Sequence, residues 1–178
     1  GLWNDRQTEA FRPAVEAIKA AGAVPGIQIA HAGRKASTSA PGSARPPGPL
    51  GKDGWQTVGP SALPFADGWP TPEALDEDGM GRVRDAFIEA AKRADRIGFD
   101  AIELHAAHGY LMAQFLSPLA NRREDAYGGS LENRMRFPLE IFDAVRAVWP
   151  AAKPLGVRVS GTEWVDDGWR LDDTVAFA

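Results

Sequence analysis

Phe99-Asp-Ala-Ile-Glu-Leu-His105-Ala-Ala-His108-Gly-Tyr110 begins with the alternation of a β-strand and ends in a loop. Ile102 and Leu104 alternate with Ala101, Glu103 and His105, and a period of two sends the two sets to opposite faces. The run breaks at Gly109, so His105, His108 and Tyr110 all follow one strand end. Two imidazoles three positions apart can aim N–H groups at one oxygen. A phenol two positions further on can offer a proton beside it. Such groups can hold an oxyanion and protonate its neighbour. A lone histidine after a strand is more often a core or loop residue, and that plainer role stands open for each. Strand ends are nonetheless where parallel α/β folds build sites.

Outward from this stretch, the chain alternates helix and strand. Met80 to Ile97 predicts a helix with Val83, Phe87, Ala90, Ala94 and Ile97 on its buried face and Gly98 as its stop. Asn4 to about Ala21 predicts an earlier one. There Asn4 and Gln7 resemble a capping box, Phe11, Val15 and Ile18 recur at helical spacing, and Pro13 should kink the helix or shift its start. A strand is expected over Gly26 to His31, with Ile27 and Ile29 opposite Gln28. Residues 32–78 are rich in Pro, Gly, Ser and Ala, and predict a long active-site loop with short ordered pieces. In it, Trp55, Val58, Leu63, Phe65 and Trp69 are expected to pack; an insert without a packing role is the alternative.

Downstream, Leu111 to Leu116 predicts one or two helical turns ending near Pro118, and Asn121 to Gly129 a loop. Ser130 is placed to cap a helix running to Trp149. Its expected stripe is Met135, Leu139, Phe142, Val145 and Trp149, with Pro138 an awkward interior residue. Leu155 to Ser160 reads as a further strand, and Leu171 as the start of a last helix.

This order is a βα series, which implies a parallel sheet with right-handed crossovers. Each strand carries apolar residues on one face and a polar side chain on the other: Gln28, then Glu103 and His105, then Arg158. In a (β/α)8 TIM barrel the polar set points inward, and Gln28, His105 and Arg158 meet at the C-terminal mouth. An ion pair between Arg158 and Glu103 is a second role for that arginine, compatible with the first. A closed barrel takes about 250 residues. The 178 residues are therefore expected to be about three central βα units of one barrel domain, 1–178, truncated at both ends.

Composition narrows the function. The net charge of −4 comes without a run of Lys or Arg, so no nucleic-acid partner is expected, and no apolar stretch has the length of a membrane span. The absence of cysteine removes disulfides, thiolate metal sites and Cys nucleophiles from this chain. A cytoplasmic enzyme is the default expectation.

Several motifs occur in a fixed order: Gly26-Ile-Gln28-Ile-Ala-His31-Ala-Gly-Arg34-Lys35, Glu103-Leu-His105-Ala-Ala-His108-Gly-Tyr110-Leu, Phe115-Leu-Ser-Pro118, Asn121-Arg, Asp125-Ala-Tyr-Gly-Gly-Ser130-Leu-Glu-Asn-Arg134 and Val157-Arg158-Val. Together they resemble the old yellow enzyme family of FMN-dependent NAD(P)H dehydrogenases and ene-reductases, and the His-Ala-Ala-His pattern resembles its bacterial xenobiotic-reductase and thermophilic-like branch. The resemblance covers essentially the whole chain. It implies an FMN cofactor, NADPH or NADH as co-substrate, and a small activated alkene as substrate. It implies Gln28 on the pyrimidine edge of the flavin and Arg158 beside its N1. It implies His105 and His108 on the substrate oxygen, with Ala106 and Ala107 between them in the substrate-binding segment, and Tyr110 as proton donor. It implies a homo-oligomer for the full-length protein and no metal. The strands that would complete the flavin cradle and hold the FMN phosphate are absent from this stretch.

Two other classes stand beside this reading. His31, His105 and His108 with Glu103 have the ligand count of a zinc-dependent barrel hydrolase, although His31 should face away from the mouth unless the strand ends before it. A catalytically silent barrel fragment that needs a partner chain is the other, because unclosed strands leave edges open to pairing.

Overall fold

The computed structural model describes residues 1–178 apart from 41, 44 and 47, which fall in the 32–78 loop and lie outside the described residues. In chain order the elements are α1 (Asp5–Glu9), α2 (Arg12–Ala20), β1 (Gly26–Ile29), β2 (Val58–Gly59), β3 (Glu73–Ala74), α3 (Glu77–Arg96), β4 (Ala101–Ala106), α4 (Leu111–Leu116), α5 (Leu131–Val148), β5 (Leu155–Val159) and α6 (Leu171–Phe177). Short 3-10 turns occupy Gly33–Lys35 and Gly51–Asp53. The α/β alternation is the one expected. Contacts divide the chain into two compact units.

The first unit comprises Gly1–Ile29, Glu77–His105 and Leu139–Arg158. Its sheet has the order β1-β4-β5, and β1 runs parallel to β4 with Gly26 opposite Ala101 and Gln28 opposite Glu103. Alternation holds in part: Ile29, Ile102 and Leu104 are buried while Gln28, Glu103 and Arg158 are exposed, but His105, expected with the polar set, is buried and Ile27 is half-buried. Burial of an aliphatic side chain of this size stabilises by about 1.5–3 kcal/mol.

The turn from α3 into β4 is set by Gly98. Its φ of +95° is open to glycine at no steric cost. There the Gly98 N–H donates to the Asp95 carbonyl at 3.0 Å and the Phe99 N–H to the Ala94 carbonyl at 3.1 Å, a Schellman ending. Ala94 and Phe99, the apolar pair that accompanies this motif, are both buried.

One expectation for this unit needs correcting. The helix predicted over residues 4–21 is two helices. Asn4 caps the first by accepting from the Gln7 N–H at 2.9 Å, as anticipated, but α1 ends at Glu9. Pro13 lies in the first turn of α2, where a missing N–H costs nothing, so the proline starts a helix instead of kinking one.

The second unit comprises Ala30–Asp76, Ala106–Pro138 and Val159–Ala178. Every residue of α4 is buried. Its C-terminal carbonyls are satisfied by side chains: Asn121 donates to the Phe115 carbonyl at 2.8 Å and Arg134 to the Leu116 carbonyl at 2.8 Å. Part of the long loop is ordered as the parallel pair β2–β3. Arg123 ties that loop down, donating to the carbonyls of Pro60 at 3.0 Å and Leu75 at 2.6 Å while pairing with Asp125. The loop's aromatic residues pack less than expected. Trp55 is 62% exposed and Phe65 is 40% exposed, although Phe65 meets Trp69 edge-on at 4.9 Å. Among the loop's described residues the buried positions are Gly33, Ser37, Thr57, Gly59, Pro60, Pro72 and Leu75.

Along α5, capped by Ser130 through the Asn133 N–H at 3.2 Å, the buried stripe differs from the one predicted. Phe137, Ile141, Val145 and Trp149 are buried, while Leu139 is exposed and Met135 and Phe142 are half-buried. Two apolar stripes run along this helix, and periodicity does not rank them. Aromatic packing at its N-terminal end favours Phe137, whose ring lies 4.6 Å from Phe115 and 6.3 Å from Tyr127.

Candidate active site

Three side chains of the first unit form the polar strand face. Gln28 Nε2 donates to Glu103 Oε1 at 2.6 Å, across the register pair that places them side by side. The hydrogen bond that Glu103 accepts thus comes from the neighbouring strand's amide, and Gln28 and Arg158 are both exposed. His105, on β4, is buried.

In the second unit, the chain leaves β4 through the buried residues Ala106 and Ala107 and turns at His108 and Gly109. Both adopt left-handed backbone, with φ of +56° and +67°. For glycine that conformation is free; for histidine it is uncommon and must be held by its surroundings. The His108 N–H donates to Ser160 Oγ at 3.1 Å, and Lys35 Nζ donates to the His108 carbonyl at 2.8 Å. Tyr110 is half-buried at the N-cap of α4, and its N–H donates to the Ala107 carbonyl at 3.1 Å.

Behind this turn lies Gln114, fully buried in α4. Its Nε2 donates to the carbonyls of Gly109 at 2.8 Å and Ala32 at 3.3 Å, and its Oε1 accepts the Arg34 N–H at 3.3 Å. One amide thereby ties the Ala32–Arg34 turn to the His108–Gly109 turn. Gly33 makes the approach possible: a Cβ there would lie 2.5 Å from Gln114 Oε1. Lys35, in the same turn, sits over the Phe65 ring with its ammonium 4.3 Å from the centroid. Burial and the neighbouring Arg34 guanidinium lower the Lys35 pKa. Arg34 itself donates to the carbonyls of Leu63 and Pro64, both at 3.3 Å.

His31 lies beyond the strand, which ends at Ile29. Its Nδ1 accepts the Gly33 N–H at 3.0 Å, and burial pushes its pKa below the usual imidazole value. Among the described residues, no group of three or more His, Cys, Asp or Glu is placed to hold a metal ion. Sequence reasoning gave no role to Gln114, Lys35 or Ser160. A signal existed for Gln114: it is the only polar residue in Leu-Met-Ala-Gln-Phe-Leu, an otherwise apolar helix.

Comparison with known proteins gives these features a context. The family model for the NADH:flavin oxidoreductase / NADH oxidase family matches residues 1–178. An NADPH dehydrogenase of Geobacillus thermodenitrificans is 43% identical over 177 residues, covering 99% of this chain and 47% of that protein. One from Bacillus subtilis is 42% identical over 178 residues, covering all of this chain and 48% of that protein. The chain thus spans about half the length of the curated relatives it matches.

Among solved structures, an old yellow enzyme homologue from Zymomonas mobilis has a TM-score of 0.79 at 30% identity, over 98% of this chain and 48% of that one. A morphinone reductase in complex with tetrahydroNAD has a TM-score of 0.74 at 38% identity, over 89% of this chain and 45% of that one. The expected fold class holds: these are about three βα units of a (β/α)8 barrel. On the full-length family match and on the motifs its strands and turns display, the chain belongs to the NADH:flavin oxidoreductase / NADH oxidase family, the old yellow enzyme family.

Proposed function

We propose that the protein carrying this chain is an FMN-dependent NAD(P)H oxidoreductase that reduces a small activated alkene. The observation that carries the reading is the turn after β4. His108 has a constrained left-handed backbone there, with half-buried Tyr110 two positions on, in a family whose members here include NADPH dehydrogenases. A small-molecule substrate, a homo-oligomeric full-length protein and a cytoplasmic location complete the proposal. Among the described residues no helix is long and apolar enough to cross a membrane.

The residues present suit the cofactor. A side-chain amide with its oxygen unengaged and an exposed guanidinium offer an acceptor and a cationic donor, the chemistry needed at the polar edge of an isoalloxazine ring. Gln28 and Arg158 would hold it there, with Glu103 fixing the amide of Gln28. When bound, the flavin supplies hydride transfer from a nicotinamide to the alkene.

The chain's own residues do the rest. His105 and His108 donate N–H groups to the substrate oxygen, where negative charge grows as the β-carbon is reduced. Donors preorganised for such charge contribute about 3 kcal/mol each. Tyr110 gives its phenolic proton to the α-carbon, and a positioned general acid contributes about 10²–10⁴-fold. Residues 32–78 are read as the active-site loop of a 1–178 barrel segment, with Ala106 and Ala107 keeping the histidines at their spacing.

The test uses the FMN-loaded protein without oxygen. NADPH should bleach the flavin band and 2-cyclohexenone should restore it. Tyr110→Phe should slow the restoring step about 100-fold while leaving the bleaching step within about twofold. Failure of NADPH to bleach the band, or of enone and nitroalkene alike to restore it, would overturn the proposal.

A further inference from the structure

His108 is a non-glycine residue in left-handed backbone, and it is held at both of its peptide groups by residues distant in sequence. Ser160 Oγ, just beyond β5, accepts its N–H at 3.1 Å. Lys35 Nζ, from the turn after β1, donates to its carbonyl at 2.8 Å.

Lys35 is itself held in place. The Lys35 ammonium is seated on the Phe65 ring, and the preceding residues of its turn, Ala32 and Arg34, are tied to Gln114. Gln114 also donates to the carbonyl of Gly109, so the residue after His108 is anchored to the same amide. A Cβ at Gly109 would lie 3.1 Å from Lys35 Nζ, which shows how closely the lysine is packed on this turn.

A histidine left to itself would favour the broad β or right-handed regions, and either change would redirect its imidazole. An exposed loop lysine has no need of a carbonyl and a ring face at once. One that takes both, beside a strained histidine, is built to hold that histidine.

We infer that Lys35 and Ser160 are positioning residues: they grip His108 by its carbonyl and its N–H and so fix the direction of its imidazole. The inference rests on the proposed function for what the imidazole does, but not for the grip itself.

The test separates the two. Lys35→Met keeps a stem to lie on Phe65 and loses the donor. Lys35→Arg keeps a donor, and Ser160→Ala removes one oxygen. Lys52→Met, at an exposed lysine in the Gly51–Asp53 turn, is the control. The first readout is nuclear magnetic resonance of the backbone amides, which needs no catalysis.

Lys35→Met and Ser160→Ala should shift the His108 and Gly109 amide resonances and speed hydrogen exchange at His108 and Tyr110 by about tenfold or more. Lys35→Arg and Lys52→Met should stay close to wild type. The second readout is steady-state reduction of 2-cyclohexenone, where Lys35→Met should lower kcat/KM for the enone about tenfold, with Lys35→Arg recovering most of it. Should Lys35→Met not fold, Ser160→Ala carries the same comparison. Unchanged resonances and exchange in both variants would overturn the inference. A wild-type protein that reduces no enone, with the amide effects present, would overturn the proposed function and leave the grip standing.

Discussion

Gln114 is the residue whose removal should cost most for its size. It has no solvent exposure, and its amide serves the main-chain groups of Arg34, Gly109 and Ala32. Gln114→Met keeps length and approximate volume, so little cavity term enters. What changes is hydrogen bonding. The bond to the Gly109 carbonyl, at 2.8 Å, has full strength; the other two, at 3.3 Å, are weaker. A net bond contributes about 0.5–1.5 kcal/mol, and a buried group left without a partner costs about 1–3 kcal/mol. Counting the strong bond fully and the long ones at the low end gives a loss of about 3 kcal/mol. With a urea m-value of about 2 kcal/mol/M, the midpoint of unfolding followed by tryptophan fluorescence should fall by about 1.5 M.

Gln114→Glu sharpens the test. The new side chain can accept from Arg34 but, when ionised, presents oxygen to the carbonyls of Gly109 and Ala32. Burial raises the pKa of such a carboxyl in the folded protein. The folded state then binds its proton more tightly than the unfolded state. The variant is therefore most stable below the unfolded carboxyl pKa, and loses stability as pH rises through the raised folded value. At pH 8 it should be less stable than Gln114→Met, and the order should narrow or reverse near pH 5. A loss below about 1 kcal/mol for Gln114→Met, or a Gln114→Glu protein as stable as wild type at pH 8, would refute the reasoning.

Two further predictions concern the same turn. Burial depresses the pKa of His31, so the unfolded chain binds a proton more readily. Stability should fall as pH drops below about 6.5, by up to about 1.4 kcal/mol per pH unit, until the folded pKa is reached. His31→Asn, whose side-chain oxygen can accept the Gly33 N–H, should remove that part of the slope in paired urea titrations; equal slopes would count against the assignment. Gly33→Ala should cost about 2–4 kcal/mol, because φ is +60° and the new methyl would meet the Gln114 amide. In a Gly33→Ala/Gln114→Ala double variant the steric part should disappear, so the two costs should fall short of additive in a thermodynamic cycle.

Much of the architecture could be read from spacing because single residues decide it locally. Gly98 stops α3 and Phe99 re-enters the core, so the start of the central strand follows from two adjacent positions. Ser130 and Asn4 cap the helices they precede. The polar alternation of Gln28, Glu103 and Arg158 survives as an exposed strand face because period two admits only two registers. The misses lie where local pattern offers two solutions of equal quality. Along α5 both apolar stripes satisfy helical spacing, and the choice is made by Phe115 and Tyr127, which pack on Phe137 from elsewhere in the chain. Near the N-terminus, Pro13 is compatible with a kink or a new start, and only the N–H accounting of the following turn separates them.

The site divides along the same line. The residues proposed to carry chemistry stand out by type, because two histidines and a tyrosine follow one strand end. Residues that hold them do not. Ser160 and Lys35 lie far from His108 in sequence, and each acts through a main-chain atom, which leaves no complementary side chain to notice. A motif such as Gly33-Arg34-Lys35 invites an electrostatic reading, as a basic cluster for an anionic ligand. In the structure its glycine makes room for Gln114, its arginine donates to the carbonyls of Leu63 and Pro64, and its lysine holds a strained histidine. The basic residues of this turn do their work inside the protein, where a charged donor on a carbonyl is stronger than a neutral one. A strain of about 1–3 kcal/mol at His108 is therefore met by a charge-assisted bond from Lys35 and a bond to Ser160, both made at main-chain atoms of the histidine.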